Sequence, residues 1–244
     1  MTSPKIAILV VVYNAEDTLH HVLDRIPTEF AQRVSVVLVC DDASTDSTHS
    51  QALKYQQGSK LPLNIVRHAA NLGYGGNQKF GYRWAIDNGV DIVVLLHGDG
   101  QYAPERLVEV VAPLDRGEAD AVLASRMMRR LDALRGGMPL YKFAGNIALT
   151  TLQNVLTGAR LSEWHTGYRA YLVSALRSVD FHANSDEFDF DTQIILQLLA
   201  AGKRFAEVPI PTYYGDEISH VNSIRYGLQI VGHTLRHRRV NRPA

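Results

Sequence analysis

The chain has 244 residues, 25 of them basic and 25 acidic, and a formal charge of zero at neutral pH. Without an excess of Lys and Arg it lacks the source of phosphate-backbone affinity, which excludes a general nucleic-acid binder. Its 46% hydrophobic and 20% charged residues can bury a sizeable core, and the single Cys40, set in an apolar run, excludes an internal disulfide or a Cys-rich zinc module.

The first apolar run, residues 6–12, is too short for a signal peptide or spanning helix, so a cytoplasmic protein is expected. Similar runs rich in Val and Ile follow at 34–40, 63–66, 91–96 and 120–124. None alternates strictly, so they read as strands covered on both faces. After the first run, Leu19, Val22, Leu23 and Ile26 keep helical spacing up to Pro27; Leu107, Val110, Val111 and Leu114 do the same after Pro104, a residue suited to a first helical turn. Strand and helix thus alternate to about residue 125, which predicts a mostly parallel sheet with right-handed crossovers. Residues 127–137, with Arg129, Arg130, Asp132, Arg135 and a Gly136-Gly137 pair, show little periodicity and read as a polar, mobile connection. A helix is then expected over 140–156, a strand near 168–172, a helix over 190–201 and a strand at 204–208. Over 221–240, Ile224, Leu228, Val231 and Leu235 follow helical spacing beside Arg225, Arg236, Arg238 and Arg239, with no acid. Such a helix fits either an anionic membrane surface or packing on the domain with a solvated basic end.

In open parallel sheets, ligands bind beyond the carboxyl ends of the strands. Three of these ends are polar: Tyr13-Asn14-Ala15-Glu16, the acidic run 41–46, and His97-Gly98-Asp99-Gly100-Gln101. In the second, Ser44 and Asp46 fit ordinary helix capping, whereas Asp42 suits a base N–H or a ribose hydroxyl. In the third, Asp99 and Gln101 offer hard oxygen ligands one residue apart, and Gly98 and Gly100 allow close approach. That set suits a divalent cation that also holds a diphosphate; an Asp-Gly turn is the plainer reading. His97 is either a satisfied polar residue at a strand end or a third ligand. The glycine cluster at 71–76 does not follow the first strand, as a dinucleotide fingerprint would, and reads as a tight turn beside the nucleotide site, with a helix from Gly76 onward. No G-x-x-x-x-G-K-[ST] or G-x-S-x-G is present, which excludes P-loop and α/β-hydrolase chemistry.

As an ordered set, from residue 5 to about 227, these motifs resemble family 2 glycosyltransferases of the GT-A fold, most closely the dolichol-phosphate mannose synthase-like, polyprenyl-phosphate glycosyltransferase group. V-V-Y-N-A-E is similar to that family's P-x-Y-N-E, D-D-A-S-T-D-S-T to D-D-x-S-x-D-x-T, and H-G-D-G-Q-Y-A-P-E to D-A-D-x-Q-x-x-P-E. A-S-R at 124–126 is similar to G-S-R, E-W-H-T-G-Y-R at 163–169 to D-x-x-S-G-F/Y-R, and V-P-I-P at 208–211 to a common strand end. The resemblance implies an α/β protein with a single Rossmann-like, mostly parallel sheet flanked by helices. Its nucleotide-sugar half would run to about 125, its acceptor half over 126–220, and a basic amphipathic helix over 221–240. Tyr13, Asn14, Glu16, Asp42 and Gly98 would then hold the nucleotide, and Asp99 and Gln101 the metal. Arg126 would clasp phosphate, and Lys142 falls where the group carries a basic residue. His97 replaces the first carboxylate of the D-x-D element, and imidazole suits Mn2+ better than Mg2+, so a relative preference for manganese is expected. Past Pro211, the family's Arg and G-x-S-K give way to Y-Y-G-D-E-I-S-H.

The activity so implied is inverting, metal-dependent transfer from a UDP- or GDP-sugar, with polyprenyl phosphate as the foremost acceptor. A lipid phosphate is already ionised; a sugar or protein hydroxyl would need a carboxylate base, for which Glu163, Asp189 and Asp191 are candidates. A lipid acceptor also implies peripheral contact at the inner face of a membrane. The alternative is a nucleotide-sugar-binding protein without turnover. A nucleotidyltransferase would need a Gly-rich loop where this chain has Val12-Tyr13-Asn14.

Overall fold

The structure is a computed structural model that describes residues 3–212 and 223–240. Its strands are β1 (Ile6–Val12), β2 (Val34–Asp41), β3 (Leu63–Arg67), β4 (Ile92–His97), β5 (Ala121–Ser125), β6 (Arg169–Leu172) and β7 (Phe205–Pro209). The α-helices are α1 (Leu19–Asp24), α2 (Thr28–Ala31), α3 (Thr48–Gly58), α4 (Tyr74–Asp87), α5 (Leu107–Asp115), α6 (Arg130–Arg135), α7 (Leu140–Thr157), α8 (Val173–Leu176), α9 (Phe190–Ala200) and α10 (Ser223–Val240). The strands form one sheet in the order β3-β2-β1-β4-β6-β5-β7, parallel except for β6.

The central strand explains its own sequence. All seven residues of β1 are buried. Ile6, Ile8, Val10 and Val12 join the layer under α1 and α5, with Leu19, Leu23, Leu107 and Val110. Ala7, Leu9 and Val11 face the opposite layer, with Tyr82 of α4, Leu176 of α8 and Ile194 of α9. A strand with two apolar faces reads as a continuous run, as this one does.

The antiparallel β6 is the feature that builds the second half of the site. Parallel strands deliver their last residues to the carboxyl edge of the sheet, whereas β6 starts there. It lies between β4 and β5, with Leu95 opposite Arg169 on one side and Leu123 opposite Arg169 on the other. The segment just before it, residues 163–167, is therefore brought to the same edge as the ends of β1, β2 and β4.

One expectation is corrected. Residues 127–137 are not a loop without periodicity: they contain α6, and Met127, Ala133 and Met138 form a small apolar cluster with Phe143 and Ile147. The exposed arginines masked this short inward face. In α10, which was expected either on a membrane surface or packed on the domain, Ile230 and Thr234 are fully buried and Leu228 is 71% exposed. The helix packs mainly on α7 and α9. Among the described residues no helix is long and apolar enough to cross a membrane.

Candidate active site

The carboxyl edge of the sheet opens into a cleft of about 950 Å³. One wall comes from the loops after β1 and β2, which are laced together. The Asn14 N–H donates to Ser44 Oγ (2.9 Å), Asn14 Oδ1 accepts from the Thr45 N–H (2.8 Å), and the Ala15 N–H donates to Thr48 Oγ1 (2.7 Å). Asn14 (φ 50°) and Ala43 (φ 59°) are the only non-glycine residues with positive φ among those described. Such strained positions concentrate where a loop is held in shape for a ligand. Asp42 is buried, with its carboxylate accepting from the Leu72 and Gly73 amides at 2.7 and 3.1 Å. Burial pushes its pKa up, and these amides and His68 only partly counter that. Asp41 is turned away, accepting from the Ser44 N–H and facing Arg67.

The glycine cluster is partly a seat for another loop. Gly73 has φ 82°, and a Cβ there would lie 2.6 Å from the Asp186 carbonyl oxygen; the Gly75 N–H donates to that same oxygen (2.6 Å). Asn71, Gly73 and Tyr74 line the cleft, and α4 begins at Tyr74, before Gly76.

At the end of β4, His97 stands edge-on between Tyr74 and Tyr102, with ring centroids 5.4 and 5.1 Å away. A Cβ at Gly167 would come within 2.4 Å of the His97 ring, so only glycine fits opposite it. Burial pushes the imidazole pKa below its ordinary value. Its Nδ1 lies 3.9 Å from Asp99 Oδ2. The Asp99 Oδ1 accepts from the Gln101 N–H (3.0 Å). His97, Asp99 and Gln101 all line the cleft. This mixed nitrogen and oxygen set fits a divalent cation. Among the described residues no three His, Cys, Asp or Glu side chains gather into a metal-holding group, so the arrangement suits an ion that takes its remaining ligands from phosphate and water.

The opposite wall is built on buried ion pairs. The Arg126 N–H donates to Glu163 Oε2 (2.7 Å), its Nε donates to Oε1 (3.0 Å), and its Nη2 donates to Oε1 as well. Asn146 of α7 also donates to Oε1 (3.0 Å). Burial alone would raise the Glu163 pKa, but Arg126 outweighs it and holds the carboxyl below its ordinary value. Arg169, fully buried, pairs with Asp191 (3.2 Å), whose carboxylate also accepts from the Tyr74 hydroxyl (2.8 Å) and Gln78 (3.2 Å). Asp189 accepts from His233 of α10 (2.7 Å). From the same helix, Tyr226 reaches the cleft, its hydroxyl 2.9 Å from His165 Nδ1. Burial depresses the His165 pKa to about 4.

The cleft thus brings together Tyr13, Asn14, Asp42, His97, Gly98, Asp99, Gln101, Arg126 and Lys142. Glu16 and Glu163 lie one layer back. The Glu16 carboxylate accepts from the Ser47 N–H (2.9 Å) just ahead of α3, and Glu163 is fully buried behind Arg126. Residues 213–220 lie outside the described residues. Glu187, Phe188 and Tyr226 also line the cleft and carry no motif that marks them; Tyr74 and His165 line it too, from the glycine cluster and from E-W-H-T-G-Y-R, without having been singled out. Arg169 and His165 stand inside E-W-H-T-G-Y-R, where a charged residue in an apolar strand was the available signal.

Comparison with known proteins agrees with this geometry. The chain is 27% identical over 209 residues to undecaprenyl-phosphate mannosyltransferase of Micrococcus luteus, covering 84% of this chain and 82% of that protein. It is 25% identical over 225 residues to UDP-N-acetylglucosamine--dolichyl-phosphate N-acetylglucosaminyltransferase of Methanococcus voltae, covering 88% of each. The fold matches that of glucosyl-3-phosphoglycerate synthase from Mycobacterium tuberculosis, solved with Mn2+, uridine diphosphate and phosphoglyceric acid, at a TM-score of 0.71 and 17% identity, over 99% of this chain and 80% of that one. The sequence pattern of glycosyl transferase family 2 matches residues 7–179, and the chain belongs to that family.

Proposed function

We propose that this glycosyltransferase moves a hexose from a UDP- or GDP-sugar to a polyprenyl phosphate, with a divalent cation at Asp99. The observation that carries this reading is the cleft itself, in which Asp42, Asp99 and Gln101 line the same space as Arg126 and Lys142. The names of the relatives, which act on undecaprenyl and dolichyl phosphates, support the acceptor. The Mn2+ and uridine diphosphate bound in the structural neighbour support the donor class.

In this reading Asn14 and Asp42 bind the nucleoside, their positions set by backbone amides. A bound divalent cation supplies positive charge against the departing diphosphate, a contribution of several kcal/mol in related chemistry. Arg126, fixed by Glu163 and the His165 carbonyl (3.2 Å), adds a charge that needs no reorganisation as the sugar–phosphate bond breaks. The carboxylates support a phosphate acceptor. Glu163, Asp189 and Asp191 are each held by Arg126, His233 or Arg169, so none stands ready to take a proton. A phosphate acceptor needs no such base. A hydroxyl acceptor would leave the task to the exposed Glu187 at the cleft, and Glu187→Gln would then abolish transfer.

The surface beside the cleft supports a lipid. Leu131, Leu140 and Tyr141 are 68%, 74% and 67% exposed, and Tyr141 also lines the cleft. Arg129, Arg130 and Arg135 are exposed in the same segment. Exposed apolar side chains and exposed arginines within one segment suit peripheral contact with an anionic bilayer, the place where a polyprenyl phosphate is held.

The test is transfer from UDP- and GDP-hexoses, with Mn2+ or Mg2+, to undecaprenyl phosphate in vesicles, read as glycolipid by mass. Cation-dependent product from one donor is the expected result. Tight nucleotide binding with neither transfer nor donor hydrolysis would favour a binding protein without turnover.

A further inference from the structure

The hydrogen bonds around His97 determine which of its nitrogens is free. The Tyr74 hydroxyl lies 2.8 Å from Asp191 Oδ2 and 3.2 Å from His97 Nε2. Asp191, paired with the fully buried Arg169, is an ionised carboxylate and can only accept. A hydroxyl has one proton, and Tyr74 gives it to Asp191. Toward His97, Tyr74 can then only accept, so the His97 proton sits on Nε2. That leaves the lone pair on Nδ1, the nitrogen that faces Asp99 Oδ2 at 3.9 Å.

We propose that Tyr74 is a positioning residue for the cation: by taking the Nε2–H of His97 it presents Nδ1 beside Asp99 as a nitrogen ligand, and so selects Mn2+, Co2+ or Zn2+ over Mg2+. Histidine ligands are commonly oriented by a hydrogen bond from the other ring nitrogen. Here the orienting group is tied through Asp191 to a buried arginine, and Gly167 and Tyr102 hold the ring from the other sides. Imidazole adds affinity for the borderline cations and little for magnesium, which favours oxygen. The inference rests on the cation reading of the cleft given above.

The test measures Mn2+ binding to the full chain by the loss of the free-ion EPR signal, at saturating uridine or guanosine diphosphate, with Mg2+ as competitor. Tyr74→Phe keeps the ring stacked on Phe188, whose centroid is 4.8 Å away, and removes only the hydroxyl. Thermal unfolding checks that the variant is folded. The expected result is about a tenfold fall in the Mn2+ to Mg2+ affinity ratio. His97→Asp should remove the preference, and on that background Tyr74→Phe should change nothing. The Co2+ absorption spectrum should also differ between the wild type and His97→Asp. An unchanged ratio in Tyr74→Phe, or an equal loss for both ions, would overturn the role of Tyr74 while the cation reading stood. Absence of any cation binding by the wild type would overturn that underlying reading instead.

Discussion

On the β1–β2 side of the cleft, Asp42 is held by the Leu72 and Gly73 amides and Asn14 by the Thr45 amide. On the facing side, Glu163, Asp191 and Asp189 are held by the side chains of Arg126, Arg169 and His233, all three of them more than twenty residues away in sequence. Backbone donors survive any side-chain replacement around them, so the first wall is set by turn geometry and loses little at a time. The second wall is set by pairs, and a buried pair that loses one member leaves an uncompensated charge. The first wall is therefore rigid by construction, and the second is costly to disturb.

The largest expected effect breaks a pair. Glu163→Ala strands the Arg126 guanidinium among buried groups and should cost about 3–5 kcal/mol in urea unfolding, together with most of the activity. A cost under about 1 kcal/mol, the level of exposed ion pairs, would erase the contrast between the two walls.

A smaller effect of the same kind is a pH dependence. Burial lowers the His165 pKa to about 4 from its ordinary 6.5, so the folded state binds fewer protons than the unfolded one between these values. Stability should be full above pH 6.5 and fall as pH drops toward 4, by something of the order of 3 kcal/mol. The Glu163 pair acts lower: its folded pKa lies below the ordinary 4.5, so its contribution is lost only as pH falls beneath that value. Denaturation midpoints across pH 4–6.5 for the wild type and His165→Asn separate the two, because the variant should flatten the upper window alone. The smallest effect belongs to the β1–β2 wall. Asn14→Ala loses the Thr45 contacts and keeps an unfavourable φ of 50°, for a cost of about 1–2 kcal/mol, with weaker nucleotide binding. A loss there as large as that of Glu163→Ala would show that the walls are built alike.

The same contrast governs what could be read from the sequence. Strands β1, β2, β4 and β5 were legible because two-sided burial writes a continuous apolar run, β3 at the sheet edge is only half-buried and was legible from a shorter one, and the polar residues that follow these strands fall at the cleft by topology. Tyr13, Asp42 and Asp99 could be found for that reason, whereas Arg126 was marked only by the resemblance of A-S-R to G-S-R. Glu163 was legible as a motif residue, but its pairing with Arg126 was not, because nothing local records which cation a buried carboxylate meets. Tyr74 and Tyr226 went unmarked for a similar reason: each reaches the cleft from the first turns of a helix whose remaining pattern is set by packing. In α6, Ala133 is the one buried side chain, and with Met127 and Met138 on either side of the helix it is too little to show a period in an arginine-rich stretch. In α10, the apolar spacing is real, yet Leu228 faces outward and Ile230 and Thr234 face in, so periodicity gave the helix and not its orientation.

The central claim is that a cation held at Asp99 carries the diphosphate of the donor. It is tested most directly by the thermal shift of the full chain with uridine and guanosine diphosphates, with and without Mn2+, in the wild type and Asp99→Ala. The stabilisation produced by a ligand grows with its concentration over its dissociation constant. A nucleotide-induced shift that requires Mn2+ in the wild type and vanishes in Asp99→Ala is the result expected. The same Mn2+-dependent shift in Asp99→Ala, or a wild-type shift indifferent to the metal, would contradict the account.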